Sequence, residues 1–322
     1  MEAKFKVVAN GSDITQKIAD RLISLEISDK AGVKSDRATI TVDDRDQQLE
    51  IPKTGAKLEI FLGYADRALV RMGTFVVDEV ELEGPARQMI IRANAVDMAG
   101  AIKAPKERSW HGVTFGNLVK SIAKDNSLTP SIPQALAARD LGHVDQTESD
   151  MQLLSRICSE QGATFKVADG RLVIADHAGG KSASGKDLPV ATIYVRDCES
   201  WNATLSKRGK YQSVIAYWQN AETGERVEEK VGEGSPSLTL KHSYKDSATA
   251  KQAAKSKLNA SGRGAGTVSI NGYIGDPALS AERLATLVGF RNGIDGSGWV
   301  VNEVTHSLSS SGYVNSIELE VK

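Results

Sequence analysis

Two stretches at opposite ends of the chain share one pattern: Gly73-Thr-Phe-Val-Val-Asp-Glu-Val80 and Gly298-Trp-Val-Val-Asn-Glu-Val304. In both, an aromatic residue is followed by two valines, Asp or Asn, Glu and Val. The preceding segments also match, with Leu58-x-Ile60-x-Leu62-Gly63-Tyr64 against Leu284-x-Thr286-x-Val288-Gly289-Phe290. Valine-rich strands can resemble one another by chance, but two matches in the same order indicate an internal repeat. The sequence therefore predicts one β fold at both ends of the chain.

The residues around the first copy read as strands, because apolar residues recur at every second position and β-branched residues are frequent. Turn-forming pairs such as Asn10-Gly11 and Gly84-Pro85 separate these runs. Residues 1–104 are predicted to form an antiparallel barrel or sandwich, with strands over residues 22–27, 37–42, 58–62, 75–82 and 89–93.

The middle of the chain, residues 105–190, changes to a helical period. Thr114 is a plausible N-cap for one amphipathic helix, and a capping box of Ser149 and Gln152 begins a second helix that ends at Gly162. A hairpin around Asp169-Gly170 follows, and then a linker from Asp176 to Lys186 that has no apolar periodicity. This region is predicted to be a small α+β insert domain with its linker.

The last region, residues 191–322, is again rich in strand patterns, from Thr192–Val195 to Ser316–Val321. An Ala- and Lys-rich helix is expected over Ser247–Ala260. The fold class predicted for the chain is therefore mainly β and α+β overall: two similar antiparallel β-barrel domains flanking the small α+β insert.

Composition excludes several classes of protein. The 322 residues contain 40 basic and 41 acidic side chains, so the formal charge of -1 gives no general attraction for phosphate backbones or anionic lipid. We expect no sequence-specific nucleic-acid binding and no membrane insertion, since no stretch approaches the roughly 18 apolar residues of a membrane helix. Without an apolar leader after Met1, the chain is expected to fold in the cytoplasm.

The motifs of common enzymes and cofactor sites are incomplete or missing. Gly180–Asp187 nearly spells a phosphate-binding loop, but Asp187 stands where Ser or Thr must bind magnesium. No GxSxG or HExxH occurs, and Leu49 replaces the glycine that an EF-hand loop starting near Asp44 would need. The histidines are scattered singly, at positions 111, 143, 177, 242 and 306. We predict no catalytic residue, no cofactor and no metal.

One predicted strand carries Glu79, Glu81 and Glu83 in alternation with Val80 and Leu82. Its two faces are therefore expected to be acidic and buried, respectively. The acidic face could be an ordinary solvated surface or the lining of a lumen that repels polyanions. We carry these glutamates forward as possible lumen-facing residues.

The repeat has a consequence for assembly. Three copies of a chain with two similar barrels would present six barrels around one axis, a pseudo-sixfold ring built from three chains. That geometry suits an adaptor between a sixfold and a threefold object.

The segment Asp145-Gln-Thr-Glu-Ser-Asp-Met-Gln-Leu-Leu-Ser-Arg-Ile-Cys-Ser-Glu-Gln-Gly-Ala163, followed by Asp169-Gly-Arg-Leu172, resembles a stretch of the phage late control protein D family. These are baseplate hub proteins of contractile tails. A C-terminal set resembles the closing signature of that family, which type VI secretion spike proteins share: Val288–Phe290, Ile294–Gly296, Trp299–Val301, Val304–His306 and Gly312-Tyr313. Cys158 and Ser280–Glu282 depart from the usual family residues, which bears on local turns only.

The resemblance implies a non-enzymatic baseplate hub of a contractile phage tail or tail-like bacteriocin. It implies two tube-type barrels per chain and a homotrimer between the hexameric tail tube and the trimeric central spike, with tape measure and other baseplate proteins as further partners. The expected location is the virion or tail-like particle, assembled in the bacterial host. Structural signature residues are Gly63, Tyr64, Phe75, Val77, Gly289, Phe290, Asp295, Gly296, Trp299 and His306.

An alternative function is a cell-wall-active or peptidoglycan-binding tail protein. It rests on Thr114–Leu128, which is faintly similar to the first helix of LysM modules. His306, on one face with Val304 and Leu308, is expected to be a hydrogen-bonded structural residue, and Trp299 a core residue.

Overall fold

The computed structural model describes residues 2–32, 36–95, 101–168, 170–176, 179–180, 188–206, 211–220, 223–263 and 266–322. Most of the predicted linker after Asp176, most of the incomplete phosphate-loop match and the turn residue Asp169 lie outside these ranges.

The first region, which we call the N-module, contains seven strands and one short helix. Its elements are β1 (Ala3–Ala9), β2 (Ser12–Asp13), α1 (Thr15–Ile18), β3 (Leu22–Lys30), β4 (Arg37–Asp43), β5 (Lys57–Tyr64), β6 (Val70–Glu83) and β7 (Gln88–Asn94). The predicted strands all lie within β3 to β7.

The insert follows, after a 3-10 turn at Ala101–Lys103. Its elements are β8 (Arg108–Thr114), α2 (Phe115–Asp125), β9 (Thr129–Ser131), α3 (Gln134–Ala137), β10 (Asp140–Gln146), α4 (Asp150–Gln161), β11 (Ala163–Ala168) and β12 (Arg171–Asp176). Both predicted helices are confirmed with their caps: Thr114 accepts from the backbone of Asn117, Ser149 and Gln152 form the capping box, and Gly162 ends α4 at φ 66°.

The C-terminal region holds two parts. The C-module comprises β13 (Ala191–Tyr194), β14 (Ser200–Leu205), β18 (Gly266–Ile274), β19 (Leu284–Val288), β20 (Gly296–Ser309) and β21 (Gly312–Val321). Between β14 and β18 lies a side subdomain of β15 (Ser213–Gln219), β16 (Arg226–Gly232), β17 (Ser237–Tyr244) and the expected helix α5 (Ser247–Arg263). The N-module has only a short connection at the equivalent place, between β3 and β4.

The two modules have the same strand order. Hydrogen-bonded neighbours run β3-β4-β7-β6-β5-β1 in the N-module and β14-β18-β21-β20-β19-β13 in the C-module. Strands at the same position in the two sheets also come in the same order along the sequence, so that β1 corresponds to β13 and β3 to β14. One strand differs in direction, because β1 is antiparallel to β5 whereas β13 is parallel to β19. The predicted repeat is therefore present in the strand order.

Irregularities recur at equivalent residues of the two modules. The pairing of β6 with β7 shifts between Val77 and Glu79, and that of β20 with β21 shifts between Val301 and Glu303. Each shift is a β-bulge at the Asp or Asn of the repeated motif. This match fixes Asp78 as the equivalent of Asn302.

The matching turn corrects one detail of the sequence alignment. Gly55 donates its backbone N–H to the Val77 oxygen at 2.8 Å, and Glu282 donates to the Val301 oxygen at 2.8 Å. Both donors have positive φ, 86° and 66°. Gly55 is thus equivalent to Glu282, which makes Leu58 the equivalent of Ala285. The predicted match of Leu58 with Leu284 is wrong by one residue, because the buried positions of β19 are Ala285 and Leu287.

The predicted fold class, mainly β with flanking modules and an α+β insert, is confirmed. In the described residues, however, neither module closes its strand ladder into a barrel. The reason lies in β3, whose outer edge pairs with β20 of the other module and not with a strand of its own. Thirteen strands thereby form one sheet across both modules.

Each part has its own core. Buried apolar clusters fill the N-module, the C-module, the insert and the side subdomain separately. Leu308 and Tyr313 of the C-module belong to the core of the N-module. The two modules are therefore joined by packed side chains as well as by the sheet.

Candidate assembly surface

The two modules meet along β20, a strand long enough for two successive partners on one edge. Its first half pairs with β19, and residues Glu303–Ser309 pair antiparallel with Lys30–Ser24 of β3. Ala31 extends the pairing by donating to the Asn302 oxygen at 2.8 Å. We call this β20:β3 pairing the closed joint.

A buried polar cluster lies at the closed joint. His306 is 0% exposed, and its Nδ1 lies 2.7 Å from the Tyr313 hydroxyl and 2.8 Å from the Asn315 amide nitrogen. Burial lowers the pKa of His306 to about 4, so the ring is neutral at physiological pH. Tyr64 of the N-module reaches the same place, since its hydroxyl donates to the Gly275 oxygen at 2.8 Å. His306 is thus the hydrogen-bonded structural residue that the sequence predicts.

Ion pairs hold the insert against the same joint. Lys30 lies 2.9 Å from Glu303 across the two strands. Lys166 of the insert contacts Asp29 and lies 2.8 Å from Asp36, and burial raises the pKa of Asp36 to about 6. A carboxylate oxygen of Asp29 also accepts the backbone N–H of Ala281 in the C-module. Asp29 therefore connects all three parts of the chain.

The N-module has the equivalent edge without the equivalent partner. The first half of β6 pairs with β5, as β20 pairs with β19, but Glu79–Glu83 have no strand on that side among the described residues. The outer edge of β14, the equivalent of β3, is likewise unpaired there. We call them the β6 edge and the β14 edge.

Both edges expose large apolar side chains. Leu82 on the β6 edge is 55% exposed and Leu205 on the β14 edge is 63% exposed. The prediction that Leu82 lies on a buried face is therefore wrong, because no strand of the described residues pairs with β6 on that side. A cavity of about 290 Å³ beside Leu82 is lined by Leu49 and Ile51, of which Ile51 is 53% exposed. Exposed strand edges with apolar side chains are characteristic of surfaces that pair with another chain.

The predicted lumen-facing glutamates lie on the opposite, polar face of β6. Glu81 is 2.6 Å from Arg92 and Glu79 is 3.6 Å from the same guanidinium. Glu83 is exposed near the end of the strand. They share a face but face no lumen within a single chain, so their role stays a prediction.

The predicted signature residues occupy structural positions. Phe75 and Val77 are buried in the N-module core, and Trp299 is buried in the C-module core, where its Nε1 donates to the Ile294 oxygen at 2.8 Å. Asp295 accepts the Phe290 backbone N–H at 2.7 Å. Glycines with positive φ form the adjoining turns, at positions 289 and 296. Gly63 lies in β5, where the Leu69 side chain would contact an added Cβ.

Tyr64 and His306 are signature residues of different modules that meet through the ring of Tyr313, whose centroid is 5.8 Å from that of Tyr64. Sequence reasoning missed Asn315, Leu205 and Asp29. Asn315 was detectable, because a polar residue stands on the buried alternation of Tyr313, Ile317 and Leu319.

No metal site and no activated thiol is found among the described residues. No group of three or more His, Cys, Asp or Glu among them could hold a metal ion. Burial raises the pKa of the Cys158 thiol, and it raises that of Cys198 to about 11, so neither is an activated nucleophile. His111 and His143 are exposed, and their Nδ1 atoms lie 3.1 Å apart. In the part of the chain described, no helix is both long and apolar enough to cross a membrane.

The helix behind the peptidoglycan-binding alternative packs its apolar face into the insert and exposes Lys120 and Lys124. Phe115, Leu118, Val119 and Ile122 of α2 are all buried in the insert core. Nothing in its packing favours that alternative.

A duplicated β module whose strand edges are open among the described residues is typical of proteins that pair with further chains. The comparisons identify its family. The model of the phage tail baseplate hub (GPD) family matches residues 37–312, and the chain belongs to that family. It is 32% identical over 360 residues to a probable baseplate hub protein of Escherichia phage 186, covering 99% of this chain and 92% of that protein.

A second relative is the probable baseplate hub protein of Escherichia phage P2, which is 31% identical, with 99% of this chain and 93% of that protein covered. The chain is therefore a structural baseplate component of a phage tail and not an enzyme.

Solved structures share the fold. The 43 kDa tail protein of prophage MuSo2 from Shewanella oneidensis superposes with a TM-score of 0.73 at 14% identity, covering 99% of this chain and 98% of that one. The E. coli c3393 protein, a type VI secretion component described as similar to the T4 tail proteins gp27 and gp5, superposes with a TM-score of 0.61 at 12% identity. This alignment covers 100% of this chain and 77% of that one.

Proposed function

We propose that the chain forms a homotrimer whose modules alternate around one axis as a pseudo-sixfold ring. The ring joins the hexameric tail tube to the trimeric central spike in a contractile tail or tail-like bacteriocin. The observation that carries this proposal is the duplicated strand order, with the two modules joined side by side in one sheet.

The closed joint supports a ring because it is heterologous: the β3 edge of one module meets the β20 edge of the next. Interfaces of this kind repeat until rotation closes a ring. Each chain forms one such joint internally and still has an open β6 edge and an open β14 edge. These two edges could form the same kind of joint with neighbouring chains. Three chains would contribute six modules, which matches a sixfold tube, whereas inserts and side subdomains would appear three times and match a trimeric spike.

The polar face of the sheet supports a lumen. Neighbouring strands place Glu26, Glu81, Glu303 and Glu318 on one face with the polar residues beside them. In a ring whose apolar face is packed against the cores, this face would line the central channel. Its negative potential would keep polyanions or acidic cargo from adhering. The tape measure and other baseplate proteins remain proposed partners.

The subunit count is tested by native mass spectrometry of the full chain, alone and co-expressed with tube and spike proteins of the same tail. We expect a mass of three chains. A chain that remains monomeric in both preparations would contradict the proposal.

The lumen is tested by replacing Glu79, Glu81 and Glu83 together by lysine. We expect assembled particles with reduced activity. Unchanged assembly, particle activity and lumen transit would remove the lumen role of these residues.

A further inference from the structure

We infer that the β6 edge of one copy pairs antiparallel with the β14 edge of the next copy, in a register that places Val80 opposite Leu205 and Leu82 opposite Ala203. This inference rests on the proposed ring and specifies the surfaces that close it. The partner is therefore a second copy of this chain, and the contact extends the sheet from one copy into the next.

The first step is the correspondence between β6 and β20. The bulge equates Asp78 with Asn302, so Glu79 corresponds to Glu303, Val80 to Val304 and Leu82 to His306. The partners of these residues agree, because Val80 pairs with Ile91 while Val304 pairs with Ile317 at the equivalent position of β21.

The second step is the correspondence between β14 and β3. Ala93 of β7 pairs with Ala38, and the equivalent Leu319 of β21 pairs with Val268. Ala38 in turn pairs with Ile27 of β3, and Val268 pairs with Ala203 of β14. Ala203 therefore corresponds to Ile27, and Leu205 corresponds to Asp29.

The third step transfers the closed joint onto the open edges. In the closed joint, Val304 is opposite Asp29 and His306 is opposite Ile27. Replacing each residue by its equivalent places Val80 opposite Leu205 and Leu82 opposite Ala203. On the other face the same register brings Glu81 opposite Thr204 and Glu83 opposite Asn202, so no like charges meet.

Residues on the two open edges are more exposed than their equivalents at the closed joint, as expected for edges that lack a partner strand. Val304 and His306 are each 0% exposed, while Val80 is partly exposed and Leu82 is 55% exposed. Ile27 is 2% exposed, whereas Ala203 is half-buried. Pairing of the two open edges would therefore bury residues whose equivalents are already buried at the closed joint. Leu82 and Leu205 would be diagonal neighbours on one face of the new pairing, where their apolar surfaces become buried together.

The register is tested by cysteine cross-linking in the full chain, in a Cys198→Ser background, since Cys158 is 2% exposed. Val80→Cys combined with Leu205→Cys should give covalent trimers on mild oxidation. The matched control, Val80→Cys with Thr204→Cys, places the second thiol on the opposite face and should give none. Trimers by native mass without this cross-link, or equal cross-linking in the control, would overturn the inferred register while leaving the ring in place.

The interface is tested separately by Leu82→Asp and Leu205→Asp. Each should reduce the trimer fraction at least tenfold, while Ile274→Asp, at an equally exposed residue away from both edges, should leave it unchanged. Circular dichroism on the monomer checks that each variant is folded. Trimers that survive both edge variants contradict the strand pairing alone. A wild-type chain that is never trimeric contradicts the proposed ring.

Discussion

The same strand edge occurs twice in the chain, once covered and once open, and its side chains differ accordingly. In the C-module, β3 covers the edge, and the buried residues are His306 and its partners Tyr313 and Asn315. In the N-module the equivalents of His306 and Asn315 are Leu82 and Met89. The Nδ1 atom of His306 contacts both partners within one chain, while its Nε2 is buried without a hydrogen-bond partner among the described residues, so this cluster depends on close packing by β3. An edge that waits for another chain is better served by leucine, which leaves no buried group unpaired if the partner arrives imperfectly.

The largest expected effect tests whether the two cores are equivalent. Phe75→Ala and Trp299→Ala each remove a buried aromatic residue from matching positions and should each lower the free energy of unfolding by about 3–5 kcal/mol. Urea denaturation followed by circular dichroism measures this. Phe61→Ala, at a half-buried position of β5, should lower it less. If one of the two core variants loses under 1 kcal/mol, the modules are not energetically equivalent.

The next effect is specific to the covered edge and appears as a pH dependence. His306 has its pKa lowered from about 6.5 to about 4 by burial, so unfolding takes up a proton between these values. Stability is therefore complete above pH 6.5 and falls as the pH decreases toward 4, by about 2–3 kcal/mol. Thermal unfolding across this range measures the slope, and the variant His306→Leu should lose it. A variant with the wild-type slope would show that other groups are responsible.

A smaller effect comes from converting the covered edge to the residues of the open one. His306→Leu alone removes the ring nitrogen that the Tyr313 hydroxyl and the Asn315 amide nitrogen contact, and it should lower the free energy of unfolding by about 1–2 kcal/mol at pH 7.5. Adding Asn315→Met completes the Leu82 and Met89 pair but also removes the Oδ1 that accepts the Asp276 backbone N–H at 2.5 Å, so it should lower the free energy of unfolding by about 1 kcal/mol more. Denaturant titration of the single and double variants decides this. A double variant at least as stable as the single one would show that the Asn315 contact with Asp276 does not stabilise the covered edge.

The smallest effect tests the matching turn. Gly55 has φ 86° with open space around it, so Gly55→Ala should lower stability by about 1 kcal/mol through backbone conformation alone. The C-module tolerates Glu282 at φ 66° in the equivalent turn. Gly84→Ala, at a glycine without positive φ and also without a near neighbour, is the control and should change stability by less. A loss above 3 kcal/mol in Gly55→Ala would indicate that the turn is packed and not only strained.

Much of the fold was predictable from local sequence. The repeated motif carries its own bulge residue, Asp78 or Asn302, and the helix caps Thr114 and Ser149 act through neighbours a few residues away. Five strands of the N-module, β3 to β7, followed from alternation and β-branched residues, whereas β1 and β2 were not predicted. Such features depend on short-range physics, which a sequence records directly.

The assembly surface was not predictable in the same way. Leu82 was assigned to a buried face because its alternation with the glutamates is that of a covered strand. In the proposed ring this alternation fits the strand once the β14 edge of the next copy covers it, and a single chain lacks that partner. The closed joint pairs Ile27 with His306, residues far apart in sequence, and the insertion of the side subdomain hides the equivalence of β14 and β3.

The most direct test is an electron cryomicroscopy map of the protein in the assembled tail, viewed along the tail axis. We expect alternating N- and C-modules in a six-membered ring, with β14 of each copy adjacent to β6 of the next at the strand spacing of a continuous sheet. A map in which the two modules are not related by rotation about this axis, or in which the copies meet through other surfaces, would contradict the account.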